Sequence, residues 1–139
     1  MVFGSRVNLL GRNVRRKLYR HYVGRFFATA AAVMLHVPVY DTQCGAKLFR
    51  VNQSTRDLFE RPFISRWIFD VEIIARSVTA RREMDQPQAA DVIVEQPLMA
   101  WHDVHGSKLR LRDFFVVFTD LLRIHRRYLT RRANSCGPS

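Results

Sequence analysis

The stretch YDTQCGAKLFR, residues 40–50, decides how the chain is read. Just before it Pro38 closes a long helical pattern, because proline has no N–H to give a helix and its ring clashes with the preceding turn. From residue 46 to residue 51 polar and apolar residues alternate, as they do in a short half-buried strand. A turn that carries the chain from helix to strand sets an α/β rhythm, and both flanks continue it. Upstream, VFGSR (residues 2–6) reads as the end of a buried strand. Residues 11–36 read as one helix, cationic in its first half (Arg12, Arg15, Arg16, Lys17, Arg20) and apolar in its second.

Downstream, Asn52 or Ser54 is placed to cap a brief helix reaching about Glu60. Residues 63–82 follow as a helix with Ser65 as N-cap and Ile68, Val71, Ala75 and Val78 on its buried face. REMDQPQAA (82–90) is a turn-rich loop, and DVIVEQPL (91–98) is a strand ended by Pro97. WHDVHGSKL (101–109) reads as a polar loop, and residues 111–131 as a last helix, apolar first and basic last. The expected class is therefore α/β, a mixed sheet flanked by helices, with residues 1–131 as the domain and 132–139 as a flexible tail.

A length of 139 residues, 47% of them apolar, suits one domain with a core of its own. The formal charge of +11 makes a field that draws nucleic acid, anionic lipid or phosphorylated substrates alike. Lys17, Lys47 and Lys108 are the only lysines, so arginine carries most of the charge, and its planar fork suits bidentate phosphate contacts. Cys44 and Cys136 belong to no CxxC or Cys/His cluster, which argues against a disulfide framework or a zinc site. The five histidines do not share metal-ligand spacing, and neither GxSxG nor GxGxxG occurs. The most apolar run, residues 26–40, has Arg25 before it and Pro38 within it and is too short to cross a bilayer. Basic residues interleave with Tyr19, Tyr22, Phe26 and Phe27, as in a nucleic-acid surface, but Phe26 and Phe27 fall on a helix face expected to be buried. No nucleic-acid partner is expected.

Five blocks, taken in order, carry a resemblance: FGSRVNLLGRNVRRK, DTQCGAKLFR, SRWIFDVEIIAR, EQPLMAWHDVHGSKL and LLRIHRRYLT. Together they resemble the C-terminal half of a family 2 glycosyltransferase, in the branch of the dolichyl-phosphate glucosyltransferases and mannose synthases. The likeness extends from about Phe3 to Tyr128. It departs from the family pattern at Ala46, where an aromatic residue is usual, and in the irregular 80–92 segment. The resemblance implies part of a GT-A-type fold and a reaction that moves glucose from UDP-glucose to dolichyl or polyprenyl phosphate. The implied place is a membrane surface, the cytosolic face of the endoplasmic reticulum or of a bacterial plasma membrane. Mg²⁺ or Mn²⁺ is implied for the complete enzyme, held by an Asp-x-Asp pair that the family carries before the GSR block. That pair does not occur here, so the chain is expected to supply no metal ligands and to be inactive alone.

Roles for individual residues follow from the same resemblance. Arg6, with Arg16 and Arg20, is expected to hold the acceptor phosphate. Asp70 stands where related enzymes carry a proposed general base; a phosphate acceptor is already nucleophilic, so Asp70 is expected to orient a sugar hydroxyl or a cation instead. Glu72, two positions on, faces away from it on a helix. Asp41, Thr42 and Gln43 are expected to contact sugar or neighbouring backbone, Gly45 to allow a close backbone approach, and Lys47 or Arg50 to balance charge. Cys44 is expected as a small buried residue. Ser107 and Lys108, with Gly106 as hinge, are expected to neutralise the leaving diphosphate. A reading from another class remains beside this one: a non-catalytic basic protein that binds anionic membrane or nucleic acid.

Overall fold

The computed structural model describes residues 1–15, 18–102 and 111–130, with the side chains of residues 15, 18–21 and 111–114 left out of the description. Its centre is β1 (Val2–Ser5), the buried strand expected at the start of the chain. On one side β1 pairs antiparallel with β3 (Lys47–Leu48), and on the other it pairs parallel with β4 (Val94–Pro97). In this register Lys47 and Glu95 both lie opposite Phe3. Residues directly opposite share a sheet face, so the row Lys47–Phe3–Glu95 points one way and the row Leu48–Val2–Val94 the other. Phe3 is fully buried, whereas Leu48 and Val94 are exposed.

A second, two-stranded sheet joins β2 (Asn13–Arg15) in parallel to β5 (Ala100–His102). This corrects two expectations. Residues 11–15 do not begin the first helix, and residues 101–102 are strand rather than loop. The Arg12 N–H bonds back to the Leu9 carbonyl across a turn in which Gly11 has φ +78°, a left-handed conformation that glycine reaches without strain. That turn delivers Asn13 to the Met99 carbonyl, at 3.0 Å, and the backbone groups of 13–15 that face β5 then pair in a ladder.

Helix α1 therefore spans Leu18–Leu35. It ends in paired reverse bonds, Val37 N–H to Ala32 O and His36 N–H to Val33 O, with His36 at φ +53° in the place usually taken by glycine. Pro38 then bars continuation, as expected. β3 is shorter than the expected 46–51, because Phe49 leaves the ladder and Asn52 starts α2 (Gln53–Phe59), its side chain accepting the Thr55 N–H at 2.9 Å. Helix α3 (Phe69–Glu83) starts four residues after Ser65, whose Oγ caps the preceding turn by accepting the Trp67 and Ile68 N–H groups. Ile68, Val71, Ala75 and Val78 all lie in the core, with Phe3, Leu35, Val37 and Val39. A four-residue helix, α4 (Ala89–Val92), interrupts the expected 82–90 loop and buries Ala89. Helix α5 (Leu111–Ile124) widens into a π-helical turn, His125–Leu129, before the expected end at 131. The turn lets Leu121, Ile124 and Tyr128 face α3 together.

Candidate functional site

The sheet row through Phe3 and the end of β1 converge on the 40–47 loop. Arg6, one residue past β1, grips Asp41 at both oxygens: Nε donates to Oδ2 at 2.7 Å and Nη2 to Oδ1 at 2.8 Å. The Arg6 backbone N–H adds a third bond to Oδ2 at 3.1 Å. Both side chains are nearly buried, so this fork is a charge-assisted bidentate pair away from water. Behind it, Glu95 accepts the N–H groups of Tyr40 and Asp41, each at 2.8 Å, one to each carboxylate oxygen. Arg25 lies over the Tyr40 ring, 3.8 Å from its centroid, and donates to the Tyr40 carbonyl. The loop is thus held from β4, from α1 and from the end of β1. The guanidinium of Arg6 also lies 5.3 Å from the centre of the Trp101 ring, which draws β5 to the same place.

Lys47 forms the second pair. Its ammonium is 3.0 Å from Asp70 Oδ1, donates to the Cys44 carbonyl and sits 5.2 Å from the Phe3 ring centre. Asp70 enters from the first turn of α3. Burial pushes its carboxyl above the ordinary 3.8; the Lys47 charge pulls it back, the Asp41 charge raises it further and the Arg6 charge lowers it. Arg6, Asp41, Lys47 and Asp70 therefore form one electrostatic cluster. Around it, Ser5 Oγ, Thr42 Oγ1 and Gln43 Nε2 are buried without a hydrogen-bond partner among the described residues. Buried polar atoms of this kind each carry a desolvation cost of ~1–3 kcal/mol unless water, a ligand or another part of the chain satisfies them.

Of the residues singled out from sequence, the structure brings Arg6, Asp41, Thr42, Gln43, Lys47 and Asp70 together. Asp41 serves as the partner that fixes Arg6. Gly45 is exposed, and a Cβ built there meets no atom of the chain within 4 Å, so packing within the described chain does not require a glycine there. The glycine that a close approach requires is Gly4, whose Cβ would stand 3.0 Å from both the Cβ and the carbonyl oxygen of Ala46. Phe26 is 79% exposed rather than buried, while Phe27 packs against the core as expected. Arg50 is exposed, and Cys44 is fully buried as a free thiol. Arg16, Gly106, Ser107 and Lys108 lie outside the described residues, as does the side chain of Arg20. Among the described residues no group of three or more His, Cys, Asp or Glu side chains could hold a metal ion, so no step is assigned to one.

Two features escaped the sequence. Glu95 is one; its alternation in β4 reads as an outward polar residue unless the register with Phe3 is known. The other is a buried network on the far side of α3. Glu72, fully buried, pairs with Arg76 at 2.7 Å and accepts the Ile64 N–H at 2.7 Å and the Tyr128 hydroxyl at 2.9 Å. Arg76 donates onward to the carbonyls of Leu58, Arg61 and Pro62. The Tyr128 phenol is pushed up by burial and by Glu72, and so stays protonated as a donor. The i, i+4 spacing of Glu72 and Arg76 was the available signal.

No family model matches the chain, and no solved structure matches it. Curated relatives do. A dolichyl-phosphate beta-glucosyltransferase of Trichomonas vaginalis is 30% identical over 125 residues, 89% of this chain and 34% of that protein. The dolichyl-phosphate beta-glucosyltransferase of Saccharomyces cerevisiae is 29% identical over 132 residues, 93% of this chain and 36% of its own length. The human enzyme of the same name is 29% identical over 136 residues, again with 36% of its length covered. The chain thus spans about a third of the length of the curated relatives it matches. Several relatives of one name thus align along most of this chain's residues, each over about a third of its own length, and the chain is similar to one part of the dolichyl-phosphate β-glucosyltransferases, a hexosyltransferase family.

Proposed function

We propose that residues 1–131 form part of a GT-A-type, family 2 catalytic domain that transfers glucose from UDP-glucose to dolichyl or polyprenyl phosphate. The observation that carries this reading is the buried cluster of Arg6, Asp41, Lys47 and Asp70, ringed by the unpartnered polar atoms of Ser5, Thr42 and Gln43. Two cations whose directions are set by carboxylates make a preorganised seat for an anion, which costs little reorganisation when the anion arrives. A phosphate monoester with a second pKa near ~6 is already an oxyanion at neutral pH and needs no general base. Its oxygen attacks the anomeric carbon; the bond from that carbon to the diphosphate oxygen breaks, and the bonding pair leaves with UDP. Arg6 and Lys47 hold the phosphate in line, and Asp70 holds Lys47. Arg16 and Arg20 reinforce the acceptor side, Ser107 and Lys108 the leaving diphosphate. A divalent cation, if the complete enzyme uses one, would neutralise the leaving diphosphate and would be held by residues other than the described ones.

The working place is the cytosolic face of a membrane. None of the described helices is long and apolar enough to cross a membrane. Two of them present apolar side chains outward at helical spacing: Tyr22, Phe26 and Val33 on α1, and Phe115, Phe118 and Leu122 on α5. Arg123 is exposed beside the second stripe. Apolar side chains with arginine at their border suit a surface of anionic lipid.

The test joins this chain to the other two-thirds of a relative, such as the yeast protein, and measures glucose transfer from UDP-glucose to dolichyl phosphate. Arg6→Met and Asp70→Asn should each lower turnover by ~10²–10³-fold, the scale of losing one electrostatic stabiliser. The 139-residue chain alone should transfer nothing. Unchanged turnover in both variants would remove the cluster from the active site.

A further inference from the structure

Glu95 stands on β4 directly opposite Phe3, on the sheet face that packs into the core, and its carboxylate reaches the backbone of the 40–41 turn. There Oε2 accepts the Tyr40 N–H and Oε1 the Asp41 N–H, each at 2.8 Å. Two consecutive backbone donors are thus taken by one side chain more than fifty positions away. The pair demands a carboxylate: an amide side chain offers one acceptor oxygen and turns its NH₂ donor toward the second N–H. A plainer account is that a charge on an edge strand keeps a further strand from pairing, and β4 is the outer strand of the described sheet. A charge placed for that purpose needs no partner, whereas Glu95 is half-buried and commits both oxygens to the loop.

We infer that Glu95 is a positioning residue for Arg6. Asp41 is gripped from two sides. Glu95 holds its N–H, and its own carboxylate receives the backbone N–H and the guanidinium of Arg6. Arg6 lies three residues past Phe3, and β1 runs in register with β4 from Val2 opposite Val94 to Ser5 opposite Pro97. Glu95, Asp41 and Arg6 therefore close a ring, one side of which is the ladder between β1 and β4. To turn the guanidinium, either that ladder or the bonds to the loop N–H groups must break. Arg25, the other clasp on the loop, lies outside the ring, because it holds Tyr40 at the aromatic face and the carbonyl. The inference rests on the reading of Arg6 as a holder of the acceptor phosphate, and adds what keeps that cation aimed before the anion arrives.

The test uses the 139-residue chain, with the Arg6 Nε–H resonance in ¹⁵N NMR as reporter and inorganic phosphate as probe. Glu95→Gln keeps the size of the side chain and one of the two loop bonds, and the methyl signals of the core residues Leu35 and Ile74 verify that it is folded. Solvent exchange of the Arg6 Nε–H should quicken about tenfold, and phosphate should bind about tenfold more weakly, the scale of one hydrogen bond to a charged group. Arg25→Met should leave both close to wild type. Glu95→Asp keeps the charge but ends one methylene short of the loop; it should behave as Glu95→Gln does, and it carries the test where the glutamine variant does not fold. Wild-type exchange at Arg6 in the folded Glu95 variants would overturn the inference. Equal effects from Arg25→Met would overturn it too, by making Glu95 one fastening among several. Quicker exchange at Arg6 in Glu95→Gln, with no phosphate bound by either chain, would uphold the tie from Glu95 to Arg6 and overturn the acceptor reading instead.

Discussion

Replacing Arg76 by methionine should remove most of the stability of this chain. The guanidinium sits between a fully buried carboxylate, Glu72, and three carbonyls, those of Leu58, Arg61 and Pro62. Its plane also lies against the Phe63 ring, 4.4 Å from Cζ to the centroid. Removing one member of a buried ion pair costs ~3–5 kcal/mol, because the remaining charge is left in a medium that cannot solvate it. Leu58 is buried, so its abandoned carbonyl adds ~1–3 kcal/mol, whereas Arg61 and Pro62 are exposed and water can replace the lost donor. The sum, ~4–8 kcal/mol, stands against a total of ~5–15 kcal/mol for a domain. Glu72→Gln in the same chain removes the stranded charge; its one amide oxygen can still accept the Ile64 N–H while its Nε2 donates to the Tyr128 hydroxyl oxygen, so the double variant should regain about 3 kcal/mol over Arg76→Met alone. Urea unfolding followed by circular dichroism reads both quantities. A loss below ~1 kcal/mol in Arg76→Met, or no recovery in the double variant, would refute the claim that this pair is an electrostatic keystone rather than packing. Hydrogen exchange gives a local check: residues 58–62 should lose protection first, since Arg76 ties their carbonyls to α3.

Gly4→Ala should destabilise by ~1–3 kcal/mol, because the new methyl meets Ala46 backbone that cannot swing aside, while Gly45→Ala should be neutral or slightly stabilising; equal effects in a thermal melt would contradict the assigned packing. The Asp70 carboxyl, followed by ¹³C NMR, should titrate above 3.8, and Lys47→Met should move it higher still; a fall on losing the lysine would be inconsistent with the ion pair. Since the folded chain holds that proton more tightly than the unfolded one, Asp70 should make stability fall as pH rises from 3.8 through its folded value, a slope that Asp70→Asn should abolish. Flotation with anionic vesicles should recover the chain at low salt and less at high salt, and Phe118→Asp should weaken it; equal recovery on neutral vesicles would count against the arginine border.

The parts legible in the sequence are those whose cause lies within a few residues. Asn52 capping Thr55, the stop at residues 36–38 and the 68-71-75-78 stripe each depend on neighbours one or two turns away. The misread parts depend on partners far along the chain. Residues 13–15 carry good helix formers on both sides, and only the parallel ladder to Ala100–His102 makes them a strand. The candidate site shows the same division more sharply. Arg6 and Asp41 were each noticed as polar residues in unusual blocks, yet nothing local shows that one holds the other across 35 positions. Glu95 was missed because alternation assigns faces only after register is known. Once Phe3 is paired with Glu95 on one side and Lys47 on the other, a single sheet row carries an anion to the loop N–H groups and a cation to Asp70. The chemistry of the cluster is therefore set by β1, whose own side chains supply only Phe3 between the two charges and Ser5 at the edge.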